Sequence, residues 1–125
     1  VAIGGGTGLP VVLSGLSATL DGLSDQSDHL TAIVTVMDDG GSSGQLRRGL
    51  GIIPPGDIRN CLAALAATDL PLASVLQHRF GEDSILGGHP VGNILLAALF
   101  ERTGSVESAV AELSRMLRLR GRVIP

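Results

Sequence analysis

The chain contains no lysine, tryptophan or tyrosine, so all nine of its basic residues are arginine. A P-loop nucleotidase needs a lysine on its phosphates and a Schiff-base enzyme needs an amine, so both classes are unsupported. Aromatic residues are almost missing as well. Phe80 and Phe100 are the two present, so Leu, Val, Ile and Ala must fill the core. Cys61 is the single cysteine, which rules out an intrachain disulfide and makes the cytosol the natural compartment. No apolar run is long enough to span a bilayer, and no signal peptide is recognisable. The net charge of -3 provides no general attraction for nucleic acid.

What is present is apolar and rich in glycine. The 125 residues suit one domain, 44% of them are hydrophobic, and 18 are glycine. Because glycine loses the most conformational freedom on folding, a compact domain is expected to keep it for loops and close approaches. Val1–Ile3 reads as a short strand entering the glycine loop Gly4–Gly8. Leu9, Val12, Leu13, Leu16, Leu20 and Leu23 recur at helical spacing, and the β-branched run 30–37 reads as a buried strand. Strand, glycine loop, helix and strand make one βαβ unit, whose crossover is expected to be right-handed. Residues 38–44 then read as a loop, 45–49 as one helical turn, and Asp57 as the N-cap of an alanine-rich helix over 58–67. Further helices are predicted over 71–80, 91–102 and 106–119, with Gly104 ending one and Ser105 capping the next. The chain opens on Val within a strand, and 121–125 reads as another strand beginning. It therefore reads as the N-terminal portion of something longer. The fold class expected is α/β, a Rossmann-like three-layer domain with a mostly parallel sheet.

Four polar segments carry the candidate chemistry. Gly4-Gly-Gly-Thr-Gly8 follows a strand and opens a helix, where backbone N–H groups and the helix dipole favour an anion. Its glycines do not fall in the G-x-G-x-x-G pattern, because position 9 is Leu, so NAD is not indicated. Asp38 and Asp39 sit at the carboxyl end of the second strand, where ligands of open α/β sheets bind, and Ser42 and Ser43 add hydroxyls. One carboxylate can hold a divalent metal or a ribose hydroxyl; the bland reading is an Asx turn into Gly40-Gly41. Pro54-Pro-Gly-Asp-Ile-Arg-Asn60 places Asp57, Arg59 and Asn60 at a helix start, with Arg59 able to clamp a phosphate. Asp57 close to Asp39 would make a Mg2+ site, since that ion takes one or two carboxylates plus phosphate oxygens. His89 and Asn93 flank another helix start, and His89 is read either as a donor to a ligand oxygen or as an acid–base group. His29 and His78 share no zinc-ligand spacing with it. Arg115, Arg118, Arg120 and Arg122 form a basic end, and Cys61 is read as a buried small residue.

Taken in order, Gly4–Leu9, Val36–Gly44, Pro54–Cys61 and Gly88–Asn93 resemble the bacterial gluconeogenesis-factor family, a relative of 2-phospho-L-lactate transferase (CofD). The resemblance covers essentially the whole chain and makes residues 1–125 the N-terminal portion of a single Rossmann-type domain of the CofD-like kind. It implies a cytoplasmic bacterial protein that binds a UDP-sugar such as UDP-N-acetylglucosamine, with roles in carbon metabolism, cell shape and cell-wall synthesis. By motif position, Gly5, Gly6, Thr7 and Gly8 would face the nucleotide or its phosphates. Asp38, Asp39, Ser42 and Ser43 would line the cleft, and Arg59, Asn60, His89 and Asn93 would close it. The transferase relative joins a lactyl phosphate unit to a deazaflavin precursor with Mg2+, a chemistry for which Asp39 and Asp57 would hold the metal. The resemblance favours a nucleotide-sugar-binding regulator without turnover; a Mg2+-dependent transferase is the alternative. The expected partner is thus a nucleotide-sugar, with no nucleic acid and no membrane span, and a homo-oligomer is an admissible arrangement.

Overall fold

The computed structural model describes residues 1–20, 30–37 and 40–125. In chain order the elements are β1 (Ala2–Gly4), α1 (Gly8–Leu20), β2 (Thr31–Val34), α2 (Gly41–Leu50), α3 (Gly56–Leu65), α4 (Leu72–Gln77), α5 (Val91–Thr103), α6 (Val106–Met116) and β3 (Arg122–Ile124). The three strands form a parallel sheet in the order β1-β2-β3, so the α/β class read from the sequence is the class observed. No described helix is long and apolar enough to cross a membrane.

Register explains how the sheet is packed. Ala2 pairs with Ala32, and Ala32 with Val123, so small and branched residues lie side by side on one face. Ala32, Val34 and Val123 are buried there, in a core completed by Leu9 and Leu13 of α1, Leu62 and Leu65 of α3, and Leu113 of α6. The alternate residues Ile3, Ile33 and Ile124 pair in a row on the other face, where Ile3 is 71% exposed. Side chains of α1, α3 and α6 thus cover the buried face of the sheet. Cα–Cβ bonds alternate along a strand, and that is why a single register decides both faces.

Several boundaries differ from the sequence reading. The strand expected over 30–37 is paired over Thr31–Val34, with Thr35 N–H still donating to Gly4 O at 2.8 Å. The loop expected at 38–44 is helical from Gly41, and α2 runs to Leu50 in place of one turn. Its glycines disfavour a helix locally, but Ser42, Ser43 and Gly44 are buried by tertiary contacts, and packing overrides propensity. Arg47 and Arg48 lie in its last turn, and Gly51 closes it in the left-handed region at φ 66°. Asp57 does not cap α3. The N-cap is Pro55, and Asp57 lies inside the first turn. The helix expected over 71–80 ends at Gln77, and that over 106–119 at Met116. Gly104 and Ser105 do punctuate α5 and α6 as read, with Ser105 Oγ accepting from Ser108 N–H at 3.2 Å. Position 23 of the first helical pattern lies outside the described residues. At the basic end, Arg118 pairs with Asp69 at 2.6 Å between exposed side chains and holds that carboxyl below its usual range.

Cys61 is fully buried on α3, as read. Burial, and then the nearby Asp57 charge, push its thiol up from the ordinary 9.0 to about 11. With no Lys or Tyr in the chain, it is the one side chain here that ionises in that window. The unfolded thiol loses its proton first, so the unfolded state binds fewer protons there and stability falls as pH rises from 9.0 toward 11. The loss is expected to reach about 2 kcal/mol. Urea titrations across that range should show it, and Cys61→Ala should flatten the slope.

Candidate ligand-binding site

Three segments meet on the first turn of α3. The glycine loop comes first, at the carboxyl end of β1. Gly6 N–H donates to Asp57 Oδ2 at 2.8 Å, so a carboxylate from α3 holds the loop from within the protein. A side chain on Gly5 would sit 2.2 Å from Thr35 Oγ1 and 2.9 Å from Asp57 Oδ2, so this glycine is required by close packing. Gly6 takes φ 63°, a conformation that L side chains rarely adopt. Gly8 is different. It opens α1, is exposed, and a Cβ added to it would meet nothing within 4 Å. Thr7 is also exposed beside it.

The start of α2 is the second segment. Ser43 Oγ accepts from Gly56 N–H at 3.1 Å, satisfying one of the donors at the head of α3 that have no partner within the helix. Ser42 turns toward the third segment, the start of α5. Its Oγ lies 2.8 Å from His89 Nδ1 and 3.0 Å from Asn93 Nδ2. Asn93 Oδ1 in turn accepts from Arg59 Nη1 at 3.3 Å, while Arg59 Nη2 donates to Asn60 Oδ1 at 2.7 Å. A chain of hydrogen bonds thus runs from Asn60 through Arg59, Asn93 and Ser42 to His89.

Arg59, read as a phosphate clamp, is 7% exposed, and its Nη1 and Nη2 donate to two asparagine carbonyls. Its stem packs so tightly on α5 that a Cβ at Gly92 would lie 2.7 Å from Arg59 Cγ. On the other side of Asn60 an open groove of about 430 Å³ lies between α1, α3 and α4, with Thr7, Pro10, Asn60 and Gln77 along it. Gln77 Nε2 donates to Asn60 Oδ1 at 3.4 Å.

The structure therefore joins Gly6 with Asp57, and Ser42, Asn93, His89, Arg59 and Asn60 with one another, while Thr7 and Asn60 share the groove. Asp38 and Asp39 lie outside the described residues, so the pair read as a Mg2+ site is described through Asp57 alone. Among the described residues no group of three or more His, Cys, Asp and Glu is arranged to hold a metal ion. His29 is outside the described residues, and His78 stacks edge-on against Phe80 at 5.6 Å. Two residues at this site were not singled out from the sequence. Thr35 could have been, since it follows β2 at the rim where α/β sheets bind ligands. Nothing local marks Gln77, which reaches the site only because α4 packs on α3.

A parallel sheet with a glycine loop and polar helix starts gathered past its strand ends defines a Rossmann-like α/β protein. A family model described as 2-phospho-L-lactate transferase CofD matches residues 1–125. The chain is 49% identical over 125 residues to the gluconeogenesis factor of Listeria innocua, and 50% identical over 122 residues to that of Bacillus subtilis. It covers 100% and 98% of itself in those matches but spans 37% and 36% of the two relatives, about a third of their length. A crystal structure of a member of the UPF0052 family from Bacillus halodurans superposes with a TM-score of 0.85 at 46% identity, covering 99% of this chain and 38% of that one. The chain belongs to the CofD family, as a gluconeogenesis-factor-like protein.

The contact of Gly92 with Arg59 yields a direct test. Gly92→Ala sets its methyl against the Arg59 stem and the Leu76 carbonyl oxygen and is expected to cost about 1–3 kcal/mol as an overpacking change. Denaturant titration measures the cost; an unchanged midpoint would mean that α5 is not packed closely on Arg59 and α4.

Proposed function

We propose that this chain supplies the phosphate-facing part of a nucleotide-sugar-binding regulatory protein, with UDP-N-acetylglucosamine as the representative ligand. The role is one of sensing without turnover, in the cytoplasm, linked to carbon metabolism, cell shape and cell-wall synthesis. One observation carries the reading: Gly8. Packing accounts for Gly5 and backbone conformation for Gly6, but neither accounts for Gly8, whose bare backbone stands at the exposed N-terminus of α1. A helix N-terminus suits a phosphate, and the side-chain-free position lets the anion approach. The resemblance to gluconeogenesis factors supports the same direction.

Gly8→Ala separates folding from binding. The fold tolerates the added methyl, and alanine is the better helix former, so the thermal midpoint should hold or rise slightly. Affinity for UDP-N-acetylglucosamine, read by calorimetry on the full-length protein with and without Mg2+, should fall by about tenfold or more. Absence of binding by the unaltered protein under both conditions would sink the proposal.

A Mg2+-dependent transferase is the second reading, favoured by the name of the matching family. Asp57 and Asp39 would then be the carboxylates on the metal, with the ion supplying charge neutralisation at a transferred phosphate. Asp57 Oδ2 already accepts from Gly6 N–H, which leaves its other oxygen for that task. Incubation with nucleoside-diphosphate donors and Mg2+ should release nucleotide if this reading holds. Asp39→Asn should abolish that release, whereas in a sensor it would alter only metal-linked affinity.

A further inference from the structure

The hydrogen-bond chain from Arg59 to His89 has a direction that can be read without seeing a proton. A guanidinium can donate but cannot accept. The Asn93 atom facing Arg59 must therefore be the carbonyl Oδ1, which turns its Nδ2 toward Ser42. Nδ2 donates to Ser42 Oγ, so the proton of that hydroxyl has to go elsewhere. Among the described residues Ser42 Oγ makes one other hydrogen bond, to His89 Nδ1. The hydroxyl then donates to Nδ1, which must be the bare nitrogen of the neutral ring, and the ring proton sits on Nε2. The same logic acts on the other arm of the fork. Asn60 gives its carbonyl to Arg59 Nη2 and Gln77 Nε2, so its amide N–H groups face away from both, beside the groove that Thr7 also lines.

We propose that Arg59 is a positioning residue that sets the hydrogen-bond polarity of the site, holding His89 as its Nε2–H tautomer through Asn93 and Ser42. His89 then meets a ligand as a hydrogen-bond donor, and Asn60 offers N–H groups from the opposite arm. Both arms present donors, so the ligand chemistry they select is one rich in acceptor oxygens, such as a diphosphate or a sugar carbonyl. This last step rests on the nucleotide-sugar reading; the tautomer does not. The arrangement also decides between the two roles open to His89 in the sequence. A neutral ring with Nε2 protonated and Nδ1 engaged by Ser42 has no free basic nitrogen to offer a substrate.

Long-range proton–nitrogen correlation spectra of the full-length, nitrogen-15-labelled protein report the tautomer directly, without any ligand. They are recorded at alkaline pH. The expected spectrum has a bare Nδ1 and a protonated Nε2 for His89. Asn93→Asp should reverse the chain. A carboxylate has no proton to give, so Ser42 would donate to it and would accept from Nδ1–H, moving the ring proton to Nδ1. Ser42→Ala, a smaller change, should release the ring to the mixture seen for free imidazole. An Nδ1–H tautomer in the unaltered protein, or an unmoved proton in both variants, overturns the proposal. Asn93→Asp should also weaken UDP-N-acetylglucosamine by about tenfold. If the unaltered protein binds no nucleotide-sugar while the tautomers behave as stated, the ligand reading fails and the polarity assignment stands.

Discussion

The two terminal nitrogens of the buried Arg59 guanidinium both donate to side-chain carbonyls, and the rest of this site follows from those two bonds. Arg59 is 7% exposed and takes the carbonyls of Asn93 and Asn60. Leaving a buried charge without its partner costs roughly 3–5 kcal/mol, far more than reorienting an amide. The two asparagines therefore comply with the arginine. Asn93 is on α5 and Arg59 on α3, so the same bonds tie the two helices together. The bare backbone at Gly92 lets α5 come close enough for this to happen. Packing, helix docking and the orientation of polar groups are thus one arrangement, fixed by one cation.

The first turn of α3 is satisfied from inside the protein on its other side too. Ser43 occupies the Gly56 N–H, and the Asp57 carboxylate occupies the Gly6 N–H of the glycine loop. Helix starts attract anions because their N–H groups lack partners. Where a side chain has already taken such a group, an incoming ligand gains less. At the head of α1, by contrast, Gly8 is exposed and uncrowded. The glycines of one short motif divide the work: one lets β2 and α3 approach, one bends the chain, and one leaves the backbone bare.

Much of the architecture was legible from local chemistry. The alternation of small, branched residues in β2, the glycine stop at Gly104 and the Ser105 cap are each decided within a few residues, by backbone sterics and nearest hydrogen bonds. The gathering of polar segments past the strand ends follows from the βαβ order. The roles of those segments were less legible. Asp57 looked like a cap and is a tether for Gly6, Arg59 braces α3 against α5 through Asn93, and Gly41–Gly44 looked like a loop and begins a helix.

The amino-acid sequence by itself determined the class of fold, the helix punctuation and the set of residues from which a site is made. It could do so because propensity, capping and periodicity act over one or two turns of chain. Tertiary structure decided what most polar groups of the site do. The bonds that decide it join residues 34, 47 and 51 positions apart, and a donor so far along the chain finds its acceptor only after the helices have packed.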